Sequence, residues 1–435
     1  MSAREGPEDP SLVSPALEPP RVYHEDRAVL KSLFLLLVWL LDLVTPKSDL
    51  LVIRTFPDFD DQGREFLRAW RQVNPDVPVV WLVEGDPSVV PPAVQELGVT
   101  CLSASSHAGW WAYLRASLVV HTRGLYGVPR RSKAKCFVNL WHGMPVKRLY
   151  HNAPVATRQT DLLTVTSEVH RTNLSSTWGI PRDRIVVEGL PRGDRLVRAA
   201  SEPMPEALAA EAMGRRLCLW LPTYRTASWA REHRDGRDFG NVFQLPDATV
   251  DAVAEAFRAN GLQVIVKTHP IAPKHPAISR PGLTVWNDED LTARGLTLYE
   301  TLGHAEMLLT DYSSAWIDYL LLGRPIVFTI GDRDEYSESR GYYFTPLEEY
   351  LPGPMVETLE GLKAVLSTPV DDLLETWGSC LASSRALHHR FVDGQSSERI
   401  VRSICTRYPR SPHAFGEDRR HATGRLEGSP TTGVS

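Results

Sequence analysis

Short apolar runs recur along this chain, each closed by a polar or turn-forming residue and followed by a longer stretch of helical character. The first series is DLLVIRTF (49–56), VPVVWLVE (77–84), SLVVHT (117–122), KCFVNLW (135–141), LLTVTS (162–167) and RIVVEG (184–189). A polar, Ala-rich linker at 201–214 precedes a second series: RRLCLWLPTY (215–224), LQVIVKTH (262–269), LTVWN (283–287), EMLLTD (306–311) and RPIVFTI (324–330). Val/Ile/Leu runs without alternation mark strands covered on both faces, the condition of parallel sheets wrapped by helices. The pattern predicts an α/β protein of two facing Rossmann-like domains, at 26–200 and 215–405, with a cleft between them. Ligands of such sheets bind beyond the carboxyl ends of the strands, so those ends are where chemistry is expected.

Residues 1–25 and 406–435 are rich in Pro, Ser and charged residues and are expected to be disordered. An apolar stretch at 30–45 contains the unbroken run Leu33–Leu41, far short of the ~20 residues that span a bilayer. It is read as a helix buried against the first domain, with a helix lying at a membrane surface as the alternative.

Bulk properties narrow the function classes. A chain of 435 residues exceeds one ordinary core. The formal net charge of -5 provides no global basic field, and no nucleic-acid partner is expected. Basic residues cluster only locally, as in RRSKAK at 130–135. The five cysteines are scattered and form no C-x-x-C, which points to a reducing compartment and against a structural zinc site. No P-loop and no G-x-G-x-x-G is present, and no cofactor is expected. The acidic loop PDFDDQG offers a D-x-D at Asp58 and Asp60, a match too short to carry a metal assignment, so no metal is expected.

Three strand ends carry phosphate-type chemistry. KCFVNLW runs into His142 and Gly143, followed by Pro145, Lys147 and Arg148. Cations at a helix start oppose the dipole, a cost that a bound anion offsets. The competing reading is a structural histidine with two solvated cations. LQVIVKTH delivers Lys267 and His269, and EMLLTD delivers Thr310 and Asp311, with Ser313 and Ser314 at the next helix start. LWLPTYR adds Thr223 and Arg225, and EGLPRGD adds Arg192, each weak alone.

In order and spacing, the blocks WHGMPVKRL, GLPRGD, LPTYR, VKTHP and TDYSSAWIDYLLLGRP, followed by RGYYF, resemble the CDP-glycerol glycerophosphotransferase family of teichoic-acid and capsule synthesis. The resemblance covers about residues 49–350 and implies a GT-B fold. It implies transfer of a polyol phosphate from CDP-glycerol or CDP-ribitol to an acceptor hydroxyl, with release of CMP. It further implies a lipid-linked or polymer acceptor and a cytoplasmic protein, peripheral on the inner face of the plasma membrane. The family's histidines fall on His142, as general base, and on His269, beside the donor pyrophosphate. Thr223, Arg225, Lys267, Thr310, Asp311, Ser313 and Ser314 fall on the donor side, and Gly143, Lys147, Arg148 and Arg192 on the acceptor side. Met144 stands where the family usually has Thr, and the chain resembles the compact, single-transfer members. The alternative is a GT-B glycosyltransferase using a nucleotide sugar.

Overall fold

The computed structural model describes residues 22–126, 135–149, 160–227, 230–234, 236–269, 272 and 278–408. Two seven-stranded sheets account for both series of apolar runs. The first has the order β3-β2-β1-β4-β5-β6-β7 and is parallel throughout. Its strands are β1 (Ser48–Arg54), β2 (Val79–Val83), β3 (Thr100–Ser103), β4 (Ala116–His121), β5 (Cys136–Asn139), β6 (Leu162–Val165) and β7 (Ile185–Val187). A hairpin of β9 (Thr226–Ala227) and β10 (Ala230–Arg234) stands apart from both sheets.

The second sheet has the order β12-β13-β11-β8-β14-β15-β16. Its strands are β8 (Arg216–Leu221), β11 (Leu262–Lys267), β12 (Ile278–Arg280), β13 (Leu283–Trp286), β14 (Met307–Thr310), β15 (Ile326–Thr329) and β16 (Met355–Val356). Only the edge pair β12–β13 is antiparallel among its described pairings. Every strand expected from the apolar runs is present. The edge strands β3, β12 and β16 escaped because TCLS, ISR and MV carry no run of Val, Ile and Leu.

One apolar cluster passes from sheet to sheet. Trp141, Met144 and Leu163 of the first unit share it with Tyr312, Trp316 and Ile317 of the second. A large hydrophobic contact of this kind joins units into one body. The linker expected at 201–214 contributes, because it contains the helix Glu206–Ala212 with Leu208 and Ala212 buried in the same cluster. Past the second sheet the chain returns: in the helix Ser396–Arg407, Ile400, Val401 and Ile404 pack among Leu51, Phe66 and Leu67. Asp194 fixes that return by accepting hydrogen bonds from Ser396 N at 2.8 Å and Ser397 N at 2.7 Å. The boundary expected at residue 405 therefore does not follow the packing, since the last helix completes the first core.

The expected disorder of 1–25 and 406–435 falls mostly outside the described residues, but 22–25 and 406–407 lie within helices. The helix Val22–Val44 corrects the reading of 30–45 as a buried element. Val38 and Asp42 face the protein, at 4% and 1% exposure, whereas Leu33, Leu37, Leu40 and Val44 are 56%, 53%, 47% and 75% exposed. Asp42 anchors the helix through Lys47 Nζ at 2.9 Å and the buried Lys135 Nζ at 2.5 Å. Among the described residues no helix is long and apolar enough to cross a membrane.

Candidate functional site

β5 pairs in register with β4, His121 opposite Asn139, and the chain leaves the sheet at Leu140. Trp141 then adopts φ 57° and Gly143 φ 136°, so His142 sits between two left-handed residues. For Trp141 that conformation costs on the order of 1–3 kcal/mol and persists only when its surroundings impose it. Here Trp141 N donates to Asn139 Oδ1 at 2.9 Å, and Gln62 Nε2 donates to the carbonyls of Leu140 and Trp141, both at 3.0 Å. At Gly143 a Cβ would stand 2.6 Å from Arg192 Nη2 and 2.8 Å from Ser314 Oγ. The first sheet's strand end thus meets Ser314 of the second directly.

His142 is exposed to the cleft, its ring confined on one side by that of Trp141, 4.0 Å between centroids. That confinement lowers its pKa to about 4; the Thr122 carbonyl works upward, and Arg123 and Arg192 add to the lowering. Nδ1 lies 3.4 Å from the Thr122 carbonyl, which can only accept, so Nδ1–H donates and Nε2 keeps its lone pair for the cleft. His269, at the end of β11, is lowered to about 3 by burial first, then by Lys147, Lys267 and Arg123, with Asp311 opposing. Both rings are neutral at pH 7. Thr223, Tyr224, Asn241, Gln244, Thr268 and His269 line a pocket of about 120 Å³.

The other expected site residues divide into two groups. Ser313 and Ser314 are half-buried at the cleft, and Ser314 makes no side-chain cap bond to the short helix Ala315–Tyr319 that follows. With five residues that helix has little dipole, so the hydroxyls are what this strand end offers. Lys147 lies 5.0 Å from the ring centroid of Tyr336 and pairs through its backbone with Tyr342, and the exposed Arg148 donates its N–H to the Gly341 carbonyl at 3.1 Å. No helix follows the Pro145 turn within the described residues, so the anion site expected at a helix start is instead a strand-like segment docked on residues 341–343.

The second group is turned inward. Arg225 is buried, donating from Nε to Asp332 Oδ2 at 2.6 Å and from Nη1 to Asp311 Oδ2 at 2.9 Å and Thr223 Oγ1 at 2.6 Å. Although burial works against its charge, the two carboxylates raise its pKa. Asp311 also accepts from Thr223 N and Oγ1, and Thr310 Oγ1 donates to the Leu221 carbonyl at 2.8 Å. Lys267 is buried and paired with Asp288 at 2.9 Å. Arg192 donates to the His142 carbonyl at 2.8 Å and to Asp318, which also accepts from Tyr299 Oη at 2.7 Å. These residues shape the site from behind, and their charges are already matched.

Sequence reasoning missed Arg123, Gln62 and Asp318. Asp318 had a signal, lying four residues beyond Ser314 in the same helix; Gln62 had none. Of the D-x-D pair, Asp58 accepts from Glu84 N and Gly85 N, and Asp60 caps the helix Asp61–Val73 through Gly63 N at 2.9 Å. The half-buried Asp60 carboxyl is pushed up to about 7 by burial, held back by its Gly63 bond, with Asp61 adding to the rise. Among the described residues no group of three His, Cys, Asp or Glu side chains is placed to hold a metal ion.

Two facing Rossmann-like units with the candidate site between their strand ends define a GT-B protein. The wall teichoic acid polymerase TagF, solved as a His-to-Asn variant soaked with CDPG, shares this fold: TM-score 0.70 and 20% identity over 89% of this chain and 96% of that one. The family model for CDP-glycerol:poly(glycerophosphate) glycerophosphotransferase matches residues 34–406, and the chain belongs to that family. Teichoic acid ribitol-phosphate polymerase TarL of Staphylococcus aureus is 25% identical over 55% of this chain and 40% of its own length. The teichoic acid ribitol-phosphate primase of Bacillus spizizenii is 25% identical over 65% of this chain and 72% of its own. The chain spans less than half the length of TarL and of the related polymerase TarK, 40% and 45%.

Proposed function

We propose that this protein transfers a polyol phosphate, glycerol phosphate in the first instance, from a CDP-activated donor to an acceptor hydroxyl and releases CMP. The observation that carries the reading is the meeting of Gly143, next to His142 at the end of the first sheet's strand, with Ser314 from the second, in a chain of this family. The first unit serves the acceptor and the second the donor. The acceptor hydroxyl attacks the β-phosphorus of the donor, its proton passes to His142 Nε2, and the bond from that phosphorus to the bridging oxygen breaks as CMP leaves. Ser313 and Ser314 bind the diphosphate, and His269 lies alongside it. The pocket beside His269 takes the nucleoside, where Gln244 Oε1, which accepts no hydrogen bond among the described residues, can accept from a base edge. Cations around the cleft, rather than carboxylate-bound metal, neutralise the donor charge.

The acceptor is a lipid-linked or polymer chain at a membrane surface. The exposed apolar face of the helix Val22–Val44 supports a peripheral attachment, with Leu33, Leu37 and Leu40 in the interfacial region. The test is a donor screen that measures CMP released from CDP-glycerol and CDP-ribitol with a polyol-phosphate acceptor. Acceptor-dependent CMP release supports the reading; transfer from a UDP-sugar instead would replace it with glycosyl transfer.

A further inference from the structure

We propose that Arg123 is a catalytic residue that stabilises the phosphoryl group as it passes between donor and acceptor, an assignment that rests on the transfer reaction proposed above. Arg123 is the second residue past the end of β4, next to Thr122, whose carbonyl receives the His142 ring. Its side chain is exposed, with the guanidinium stacked 4.5 Å from the centroid of Phe56. Among the described residues no carboxylate pairs with it. Arg192 and Arg225 differ from it in this, the one matched by Asp318 and the other by Asp311 and Asp332.

The charge of Arg123 is felt by His142 on the first sheet and by His269 on the second, so it lies within range of both. In the proposed reaction His142 marks the attacking oxygen and His269 the donor. A cation whose charge acts on both can meet the negative charge on the oxygens of the transferred phosphoryl group. The Phe56 ring holds the guanidinium carbon without consuming a hydrogen-bond donor, leaving the fork free for two phosphoryl oxygens.

The test compares Arg123→Gln and Arg123→Lys with wild type. Arg123→Gln should lower kcat by about 10²- to 10³-fold, while the calorimetric Kd for CDP-glycerol changes by less than tenfold. Arg123→Lys, which keeps the charge but loses the fork, should fall between. Removing the cation should also move the His142 and His269 titrations, followed by NMR in the ligand-free protein, to higher pH. The other charges near them, Arg192 at His142 and Lys147, Lys267 and Asp311 at His269, stay in place. Unchanged kcat, a loss confined to donor affinity or acceptor KM, or histidine titrations that do not move would each overturn the assignment. Wild-type protein that releases no CMP from either CDP-polyol would overturn the reaction and Arg123's part in it, yet leave the histidine shifts, so the two failures are distinguishable.

Discussion

A methyl group at position 143 would press on Arg192 and Ser314, and φ 136° suits no other residue, so Gly143 sets how closely the two halves meet. His142 beside it is fixed by that turn rather than by its own contacts. Its lowered pKa means the free enzyme holds a neutral base down to about pH 4, so the acid limb of kcat/KM should lie near pH 4 rather than 6.5. Bound diphosphate brings negative charge, which favours the imidazolium, so the acid limb of kcat should lie at higher pH than that of kcat/KM. His142→Ala should lose turnover on the order of 10²- to 10⁴-fold, with an unchanged melting temperature. His142→Gln should do no better, because an amide cannot take the proton. A folded His142→Ala protein with near wild-type single-turnover rate would transfer the base role to another group, with His269 the first to test.

Among the elements, the helix Val22–Val44 shows most clearly what a sequence withholds. Its apolar run was legible, and its failure to span a bilayer was legible, but the side it turns to the protein was not. Asp42 reads as an interruption of the run and is instead the buried anchor, because Lys47 and Lys135 reach it from elsewhere in the chain. The strands were legible because burial on both faces leaves few alternatives to Val, Ile and Leu. The site was legible as a set of strand ends but not as a set of side-chain directions. Runs buried on both faces carry no alternation to extend past a strand end, so nothing local told that Arg225 and Thr310 turn in while His142 and Ser314 turn to the cleft. The proposed peripheral attachment through the exposed face of this helix can be tested directly. Leu37→Asp with Leu40→Asp should release the protein from sedimenting lipid vesicles that bind wild type, leaving turnover of a soluble acceptor unchanged. Equal sedimentation of both proteins would remove the helix from the membrane-binding surface.

At the scale of the whole molecule, two sheets share one apolar cluster, which argues for unfolding as a unit. Calorimetry at pH 7.5 should give one transition with the van't Hoff and calorimetric enthalpies in agreement; two resolved transitions would show that the cluster does not couple the sheets. The same scan at lower pH reads the buried histidines. His121 and His388 are both lowered to about 3, chiefly by burial, and His170, whose Nε2 lies 3.0 Å from His388 Nδ1 across the interface, is lowered as well. A histidine refused its proton in the fold takes it up when unfolded at pKa ~6.5. The stability these histidines contribute is therefore complete above pH 6.5 and declines as pH falls toward the folded values. By pH 5 each held at about 3 has given up about 2 kcal/mol. His388→Phe should flatten that decline; an identical slope in wild type and variant would place the acid sensitivity elsewhere.

The polypeptide passes between the two sheets once near residue 200 and again near 390, where it returns to seat the helix Ser396–Arg407 on the first core. A body hung from a single strand can swivel freely; one hung from two separated strands can only bend about the line joining them. Swivelling of one lobe against the other is thus opposed by covalent chain as well as by packing. An opening that admits substrate would have to bend both crossings together, which limits the paths by which Gly143 and Ser314 can part and return.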